Sequence, residues 1–255
     1  MNDNKLSLTD TQCDLYKQQG FLILESALDA SWLGKLSDAA DELTRNVGPI
    51  VKENPHIQIE KSQQEICIRQ VEPTIDLSPT FRAFSQSEEI LSPLRSLFDD
   101  EPVLFEDKIN YKNPDGGTAF PLHQDYAYWS KFPSSLVTIL VYIDEATTEN
   151  GCLQVLPEKH TQGLLSHKLQ PVGLSSSLVV DTEIGDSWPQ MLEAPGPAGT
   201  MLVFSCLTPH QSSANVSDRP RRAFILTYNP ALDGDFYSQH EGPILERWHK
   251  WRGEK

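Results

Sequence analysis

Leu122-His-Gln-Asp-Tyr-Ala-Tyr-Trp129 is the stretch on which the fold turns. Read as a strand, it places His123 and Asp125 on one face, because strand side chains alternate with a period of two. An imidazole beside a carboxylate makes two corners of a metal site. A third is available in Pro209-His-Gln-Ser212, which follows the apolar run Met201-Leu-Val-Phe-Ser205 and so puts His210 at the end of a buried strand. The 87 positions from His123 to His210 leave room for several strands to carry the chain back beside its start. Two histidines and one carboxylate on one face of an ion form the ligand set of non-heme Fe(II) oxygenases, with room left for a chelating 2-oxo acid and O₂.

In a chain with seven histidines an HxD alone is weak evidence, and a solvated strand edge is the bland reading. What gives it weight is the joint order: HxD, several strands, then His, Ser and Arg in one segment. Arg221 opens the strand after His210. A guanidinium is the planar, permanently charged, bidentate partner that the far carboxylate of 2-oxoglutarate requires. Ser212 can share that carboxylate through its hydroxyl. The bland reading of Arg221 and Arg222 is a solvated basic patch, and that of His210 a hydrogen-bonded barrel histidine.

Working outward, short apolar runs separated by turn residues read as further strands over residues 103–111, 136–143, 152–156, 201–205 and 223–228, with turns at Asn113–Gly117, Asn150-Gly151 and Pro195–Gly199. Many short strands with tight turns predict a barrel or two-sheet jelly roll. Upstream, Ser7 is a candidate cap for a helix over Leu8–Gln19 ending at Gly20, and Asp29 for a second helix with Trp32, Leu36, Ala40 and Leu43 at helical spacing. Residues 21–24, 56–60 and 66–70 read as strands, 79–85 and 88–97 as helices, and 243–252 as a C-terminal helix. The expected architecture is an all-β core with flanking helices, a double-stranded β-helix of the jelly-roll or cupin-like kind. It forms one domain over 1–255: a mainly helical flank over 1–100, a barrel core over 101–230 with a lid-like insertion at about 162–193, and a tail over 231–255.

The chain has 255 residues, enough to bury a sizeable core, and a formal net charge of −15. That charge disfavours nucleic acid, which asks for a basic stripe, and anionic membrane surfaces. Cys13, Cys67, Cys152 and Cys206 show no CxxC spacing and read as thiols in a reducing compartment, and no apolar run approaches membrane-spanning length. A cytoplasmic location is the expectation.

Together, His123-Gln-Asp125, Glu149-Asn-Gly-Cys-Leu-Gln-Val-Leu-Pro157 with His160, and His210-x-Ser212-x-x-Asn215 with Arg221 resemble the phytanoyl-CoA dioxygenase family of Fe(II)/2-oxoglutarate oxygenases. The resemblance runs from about Lys108 to Tyr228. It implies that His123, Asp125 and His210 bind iron and that Arg221 and Ser212 hold 2-oxoglutarate. Lys108-Ile-Asn110 placed before Gly116-Gly117 and the HQD-to-Trp129 segment is similar to bacterial hydroxylases of free amino acids and small solutes. That likeness implies a co-substrate contact for Asn110 and substrate contacts for Lys108 and Trp129. Tyr126, Tyr128, Trp129 and Phe132 are the candidates for a substrate wall, of which at most half can face a pocket. Tyr126 is taken as a substrate contact, while in a regular strand Tyr126 and Tyr128 have the opposite parity to His123 and Asp125 and Trp129 shares theirs. Where the family usually has Pro-Gly-Ser-His, this chain has Pro157-Glu-Lys-His160, so no role is carried over to His160. Halogenating relatives lack the carboxylate that Asp125 supplies, which points to hydroxylation. The remaining histidines, His56, His167, His240 and His249, read as surface or packing residues.

The expectation is therefore a hydroxylase of a small polar molecule, an amino acid or similar solute, that consumes 2-oxoglutarate and O₂ and releases succinate and CO₂. The same chemistry on an acyl thioester or secondary-metabolite intermediate is the alternative. A non-catalytic cupin-like metal-binding sensor is the rival of another class. A zinc hydrolase ranks last, because the motif places no general base and leaves Arg221 without a task.

Overall fold

Thr9, not Ser7, starts the first helix. Its hydroxyl accepts from the Gln12 amide while the Gln12 side chain accepts from the Thr9 amide, so two otherwise unpaired donors are satisfied and α1 runs over Asp10–Gln19. Ser7 is instead tied to Ser92, Oγ to Oγ at 3.0 Å. Gly20 ends α1 in the left-handed region at φ 85°, where a Cβ would collide with the His160 ring. Asp29 caps α2 (Ala30–Asn46), its Oδ1 accepting from the Trp32 amide at 2.8 Å. α3 (Pro79–Ser85) and α4 (Glu88–Phe98) follow, then a helical turn α5 (Tyr126–Trp129), and at the C-terminus α6 (Tyr237–His240) and α7 (Gly242–Trp251).

The computed structural model describes residues 7–62, 65–114, 117–172, 174–181 and 188–253. Its strands are β1 (Phe21–Leu24), β2 (Ile57–Ser62), β3 (Glu65–Val71), β4 (Pro102–Lys112), β5 (Phe120–His123), β6 (Val137–Tyr142), β7 (Leu153–Val155), β8 (His167–Val172), β9 (Ser175–Val180), β10 (Leu192–Ala194), β11 (Met201–Ser205), β12 (His210–Ser212) and β13 (Arg221–Pro230). A seven-stranded sheet in the order β1-β11-β6-β13-β4-β3-β2 faces a four-stranded sheet, β10-β7-β12-β5, and β8 and β9 form a separate hairpin. Pairing is antiparallel throughout. This is the double-stranded β-helix expected from the strand pattern.

Strand alternation builds both sides of the large sheet. In β6, Ile139 and Val141 point outward and pack with Leu36, Leu43, Phe81, Phe84 and Leu94 of the helices, whereas Leu140 and Tyr142 point inward to Leu153, Val155 and Phe204. Burial on both faces is why Val137–Tyr142 reads as an almost unbroken apolar run. The Tyr142 hydroxyl pins the two sheets together, donating to Ala194 O at 2.9 Å and accepting from the Leu153 amide at 2.8 Å.

Three readings change. The strand at residues 122–129 stops at His123, and the chain turns at Gln124 into α5. The first hundred residues are not only a helical flank, because β1, β2 and β3 complete the large sheet. The segment 162–193 contains the hairpin β8–β9 and strand β10, and residues 173 and 182–187 within it lie outside the described residues. Asp115 and Gly116 of the expected turn at 113–117 also lie outside them, while Gly117 donates its amide to Asn113 O at 3.0 Å.

Candidate active site

Strand register brings the two histidines together. β12 lies between β7 and β5, and His210 is the cross-strand partner of His123, so the rings sit with centroids 4.3 Å apart. Each ring is fixed by the same local device. His123 Nδ1–H donates to Pro121 O at 2.7 Å and His210 Nδ1–H to Thr208 O at 3.0 Å. A carbonyl only accepts, so both Nδ1 carry the proton and both Nε2 keep a free lone pair. The Nε2 atoms lie 3.5 Å (His123) and 3.8 Å (His210) from Asp125 Oδ1. His123, Asp125 and His210 thus offer three ligand atoms within 4.8 Å of one another.

Asp125 arrives by a turn rather than by strand alternation. Gln124, fully buried, makes that turn rigid: its Nε2 donates to Leu207 O at 2.6 Å and Gly163 O at 2.9 Å, and its Oε1 accepts from the Leu165 amide at 2.7 Å. The Gln124 amide donates to His167 Nε2 at 3.1 Å, so His167 is a packing residue with a defined task. Asp125 Oδ2 accepts from Thr138 Oγ1 at 3.4 Å, which leaves Oδ1 facing the imidazoles. Burial alone would raise the Asp125 carboxyl, but the imidazoles of His210 and His123 and the Lys108 ammonium outweigh it and hold it well below the usual carboxylate range. Burial, reinforced by His123, brings His210 down to about 4, so the ring is neutral at physiological pH. Two imidazoles that turn Nε2 toward one ionised carboxylate oxygen fit a ferrous ion.

A cavity of about 380 Å³ opens beside these three side chains. Asn110, Ser212, Lys108 and Trp129 line it, as expected from the sequence. The Asn110 Oδ1 is buried without a hydrogen-bond partner. Arg221 does not reach the cavity wall, but it is 3% exposed and starts the row Arg221, Ala223, Ile225 on the inner face of β13, with Ala223 and Ile225 in the apolar cluster between the sheets. Its Nη2 donates to Gly151 O at 2.9 Å and its Nε has no partner. Its neighbour Arg222 points the other way, paired with Asp144 and Asp41. The orphaned Nε–H of Arg221 is a donor that a dicarboxylate would satisfy, whereas the orphaned Oδ1 of Asn110 accepts and calls for a donor.

Tyr126 does not join the substrate wall. It packs with Phe105, Trp129 and Phe132, and its hydroxyl donates to Phe132 O at 2.9 Å; Tyr128 lines the cavity instead. In the helical turn of α5 the two tyrosines, which a strand would put on one face, point different ways. Tyr128 Oη accepts from the Leu178 amide at 2.7 Å, tying the β8–β9 hairpin to the rim. His160 stays outside, its Nε2 3.1 Å from Lys17 O at the end of α1.

Several cavity residues escaped the sequence reading. Arg69 lies over the Phe120 ring, donates from Nη2 to Ala119 O at 3.1 Å and keeps an unpartnered Nε. Outside the cavity lining, Lys112 is the cross-strand partner of Arg221, and burial together with Arg221 and Arg69 lowers it to about 6. Glu106 and His240 line the far end, with His240 Nε2 3.1 Å from Glu106 Oε1 and its ring stacked 4.4 Å from Phe105. The alternation Glu106, Lys108, Asn110, Lys112 in β4 was the available signal for the acid and the second lysine. His240 is on a four-residue helix beyond the barrel and has no local pattern.

A two-sheet β-helix with a His–Asp–His cluster between its sheets defines a non-heme Fe(II)/2-oxoglutarate oxygenase. The chain belongs to the phytanoyl-CoA dioxygenase family, whose model, "Phytanoyl-CoA dioxygenase (PhyH)", matches residues 16–223. It is similar to a methylphosphonate hydroxylase of Gimesia maris, 30% identical over 92% of this chain and 85% of the relative. It is also similar to a 2-aminoethylphosphonate dioxygenase of an uncultured bacterium, 28% identical over 89% of this chain and 84% of the relative. The crystal structure of EctD from S. alaskensis with bound Fe shares the fold, with a TM-score of 0.72 at 22% identity over 91% of this chain and 80% of that one. The enzyme is thus an oxygenase that uses iron and 2-oxoglutarate. Among the described residues, no helix is long and apolar enough to cross a membrane.

Proposed function

We propose that the enzyme hydroxylates a C–H bond of a small polar molecule, with His123, Asp125 and His210 as the iron ligands and Arg221, Ser212 and Asn110 as the 2-oxoglutarate contacts. When bound, the metal supplies the oxidation, coupled to conversion of 2-oxoglutarate to succinate and CO₂. The protein's share is positioning. The Pro121 and Thr208 carbonyls keep both histidines in the tautomer that can ligate. Thr138 holds one carboxylate oxygen of Asp125 so that the other faces the ion. The inward row of Arg221 gives a far carboxylate a buried guanidinium, where a charge-assisted bond is not competed by water. Lys108, Trp129 and Tyr128 border the substrate and exclude solvent.

The observation that carries this reading is the convergence of both Nε2 atoms on Asp125 Oδ1, at 3.5 and 3.8 Å, beside a cavity of about 380 Å³ lined with charged side chains. Such a cavity suits a compact polar molecule better than a long acyl chain. The two curated relatives described above are named for phosphonates, and Arg69, with a free Nε on the cavity wall, is the group that would take an oxyanion. Small phosphonates therefore lead the substrate class, with free amino acids beside them.

The test is anaerobic titration of the Fe(II) protein with 2-oxoglutarate, followed by succinate release in the presence of small phosphonates and amino acids. A weak visible metal-to-ligand band and substrate-stimulated succinate are expected, and both disappear in His123→Ala and His210→Ala. Metal binding with no such band would favour a sensor, and undiminished turnover in His123→Ala would end the assignment of that ligand.

A further inference from the structure

The end of the cavity opposite Arg221 carries an excess of acid. Ligand atoms of Glu72, Glu106, His240 and Glu241 lie within 4.8 Å of one another, and Glu72, Glu106 and His240 line the cavity. Glu106 is satisfied: Lys108 Nζ lies 2.5 Å from its Oε2 and His240 Nε2 lies 3.1 Å from its Oε1. Glu72 accepts from the Gln70 side-chain amide. Glu241 is different. It is 0% exposed, neither carboxylate oxygen has a hydrogen-bond partner, and His240 Nε2 stands 4.0 Å from Oε1.

Three carboxylates therefore share one ammonium and one imidazole in a wall that water barely reaches. An unpaired carboxylate in such a place either takes a proton or takes a cation. Without a cation, burial and then the neighbouring acids push Glu241 up to about 11 and Glu72 up to about 8.

We propose that this acidic end binds the ammonium group of the substrate, so that the molecule oxidised is a small amine. The inference rests on the oxygenase reading above and narrows its substrate class. A primary ammonium needs acceptors in several directions; Glu241 offers two unpartnered oxygens beside the cavity-lining Glu72, which is itself tied to Gln70 and Glu106. A divalent metal fits less well. It would need Glu106 and His240, which are bonded to each other, and it would lie against the Lys108 ammonium already in place. Lys108, bonded to Glu106 at 2.5 Å, lines the same cavity as the ligand triad. An oxyanion on Arg69 and an ammonium on Glu72 and Glu241 would give the cavity two poles of opposite sign.

The test uses Fe(II)-loaded enzyme with 2-oxoglutarate, kept anaerobic, and reads binding by calorimetry for two matched pairs: 2-aminoethylphosphonate against ethylphosphonate, and β-alanine against propionate. One net charge-assisted bond predicts that the aminated member of at least one pair binds roughly tenfold or more tighter. Glu241→Gln and Glu72→Gln should bring that pair close to parity while the 2-oxoglutarate band persists. If Glu241→Gln does not fold, Glu72→Gln decides alone. Absence of a preference in both pairs, or a preference that survives substitution, overturns the ammonium site and leaves the oxygenase reading standing. A wild-type protein without the 2-oxoglutarate band would instead overturn the oxygenase reading itself.

Discussion

Replacing Arg221 by methionine keeps most of the side-chain volume and removes the guanidinium. The structure sets the size of the effect. Arg221 is 3% exposed, one N–H is committed to Gly151 O, and Nε is unpartnered, so donors remain for a bound carboxylate. Two charge-assisted hydrogen bonds at about 1.5–3 kcal/mol each amount to about 3–6 kcal/mol, or about 10² to 10⁴ in the dissociation constant for 2-oxoglutarate. Arg221→Lys keeps the charge and loses the fork, so it should recover part of this and leave a deficit of about tenfold or more. The assay is anaerobic titration of Fe(II) protein with 2-oxoglutarate, followed by the visible band. Arg222→Met is the control: its guanidinium points outward to Asp144 and Asp41, so it should lower the unfolding midpoint and leave the titration unchanged. Equal 2-oxoglutarate affinity in Arg221→Met and wild type would refute the placement of the far carboxylate on this strand.

Two further outcomes follow from buried polar groups outside the ligand set. Gln124→Ala strands the Gly163 and Leu207 carbonyls and the Leu165 amide, and should cost about 3 kcal/mol, or about 10 °C in thermal midpoint, together with weaker Fe(II) retention; an unchanged midpoint would show that the turn does not depend on this amide. His56 is 1% exposed, 4.4 Å edge-on to Trp248, and lowered by burial to about 4. Its unfolded form takes up a proton near pH 6.5, so the stabilisation is complete above that pH and is lost as pH falls towards 4, by up to about 3 kcal/mol. The urea midpoint should therefore drop more steeply over that window in wild type than in His56→Leu, and parallel curves would contradict it.

Strand placement was legible because β4, β6, β11 and β13 advertise themselves through apolar runs and turn residues, and the helix caps through Asp29 and Gly20. The metal candidates were legible for a reason partly different from the one that exposed them. Alternation put His123 and Asp125 on one face, yet the strand ends at His123 and Asp125 comes round on a turn secured by Gln124. The break also decides the aromatic wall: strand alternation puts Tyr126 and Tyr128 on one face and cannot separate them, whereas the helical turn sends Tyr128 to the cavity and Tyr126 to the Phe105–Trp129–Phe132 cluster. Thr9 outcompeted Ser7 as a cap because Gln12 completes a reciprocal pair only with the former. Arg69, His240 and Glu241 were illegible because sheet pairing and the packing of the C-terminal helices, not local pattern, bring them to the site.

The inward face of β4 joins these strands of reasoning. Glu106, Lys108, Asn110 and Lys112 alternate there, three of them at 8% exposure or less, while Ile109 and Tyr111 on the opposite face pack against the helices. A sheet interior of this kind is more stable when filled with hydrophobic residues, because ionised groups lose hydration that their mutual attraction only partly returns. The large apolar layer on the outer face holds the strand in place and lets its inner face carry polar groups. Perturbed titrating groups concentrated in a cavity are a mark of functional sites. Along β4 the order runs from Glu106 and Lys108 in the cavity lining to Lys112 outside it, where Arg221 is the cross-strand partner. On the reading proposed above, that order would put a dicarboxylate toward Arg221 and the positively charged group of a substrate toward Glu106.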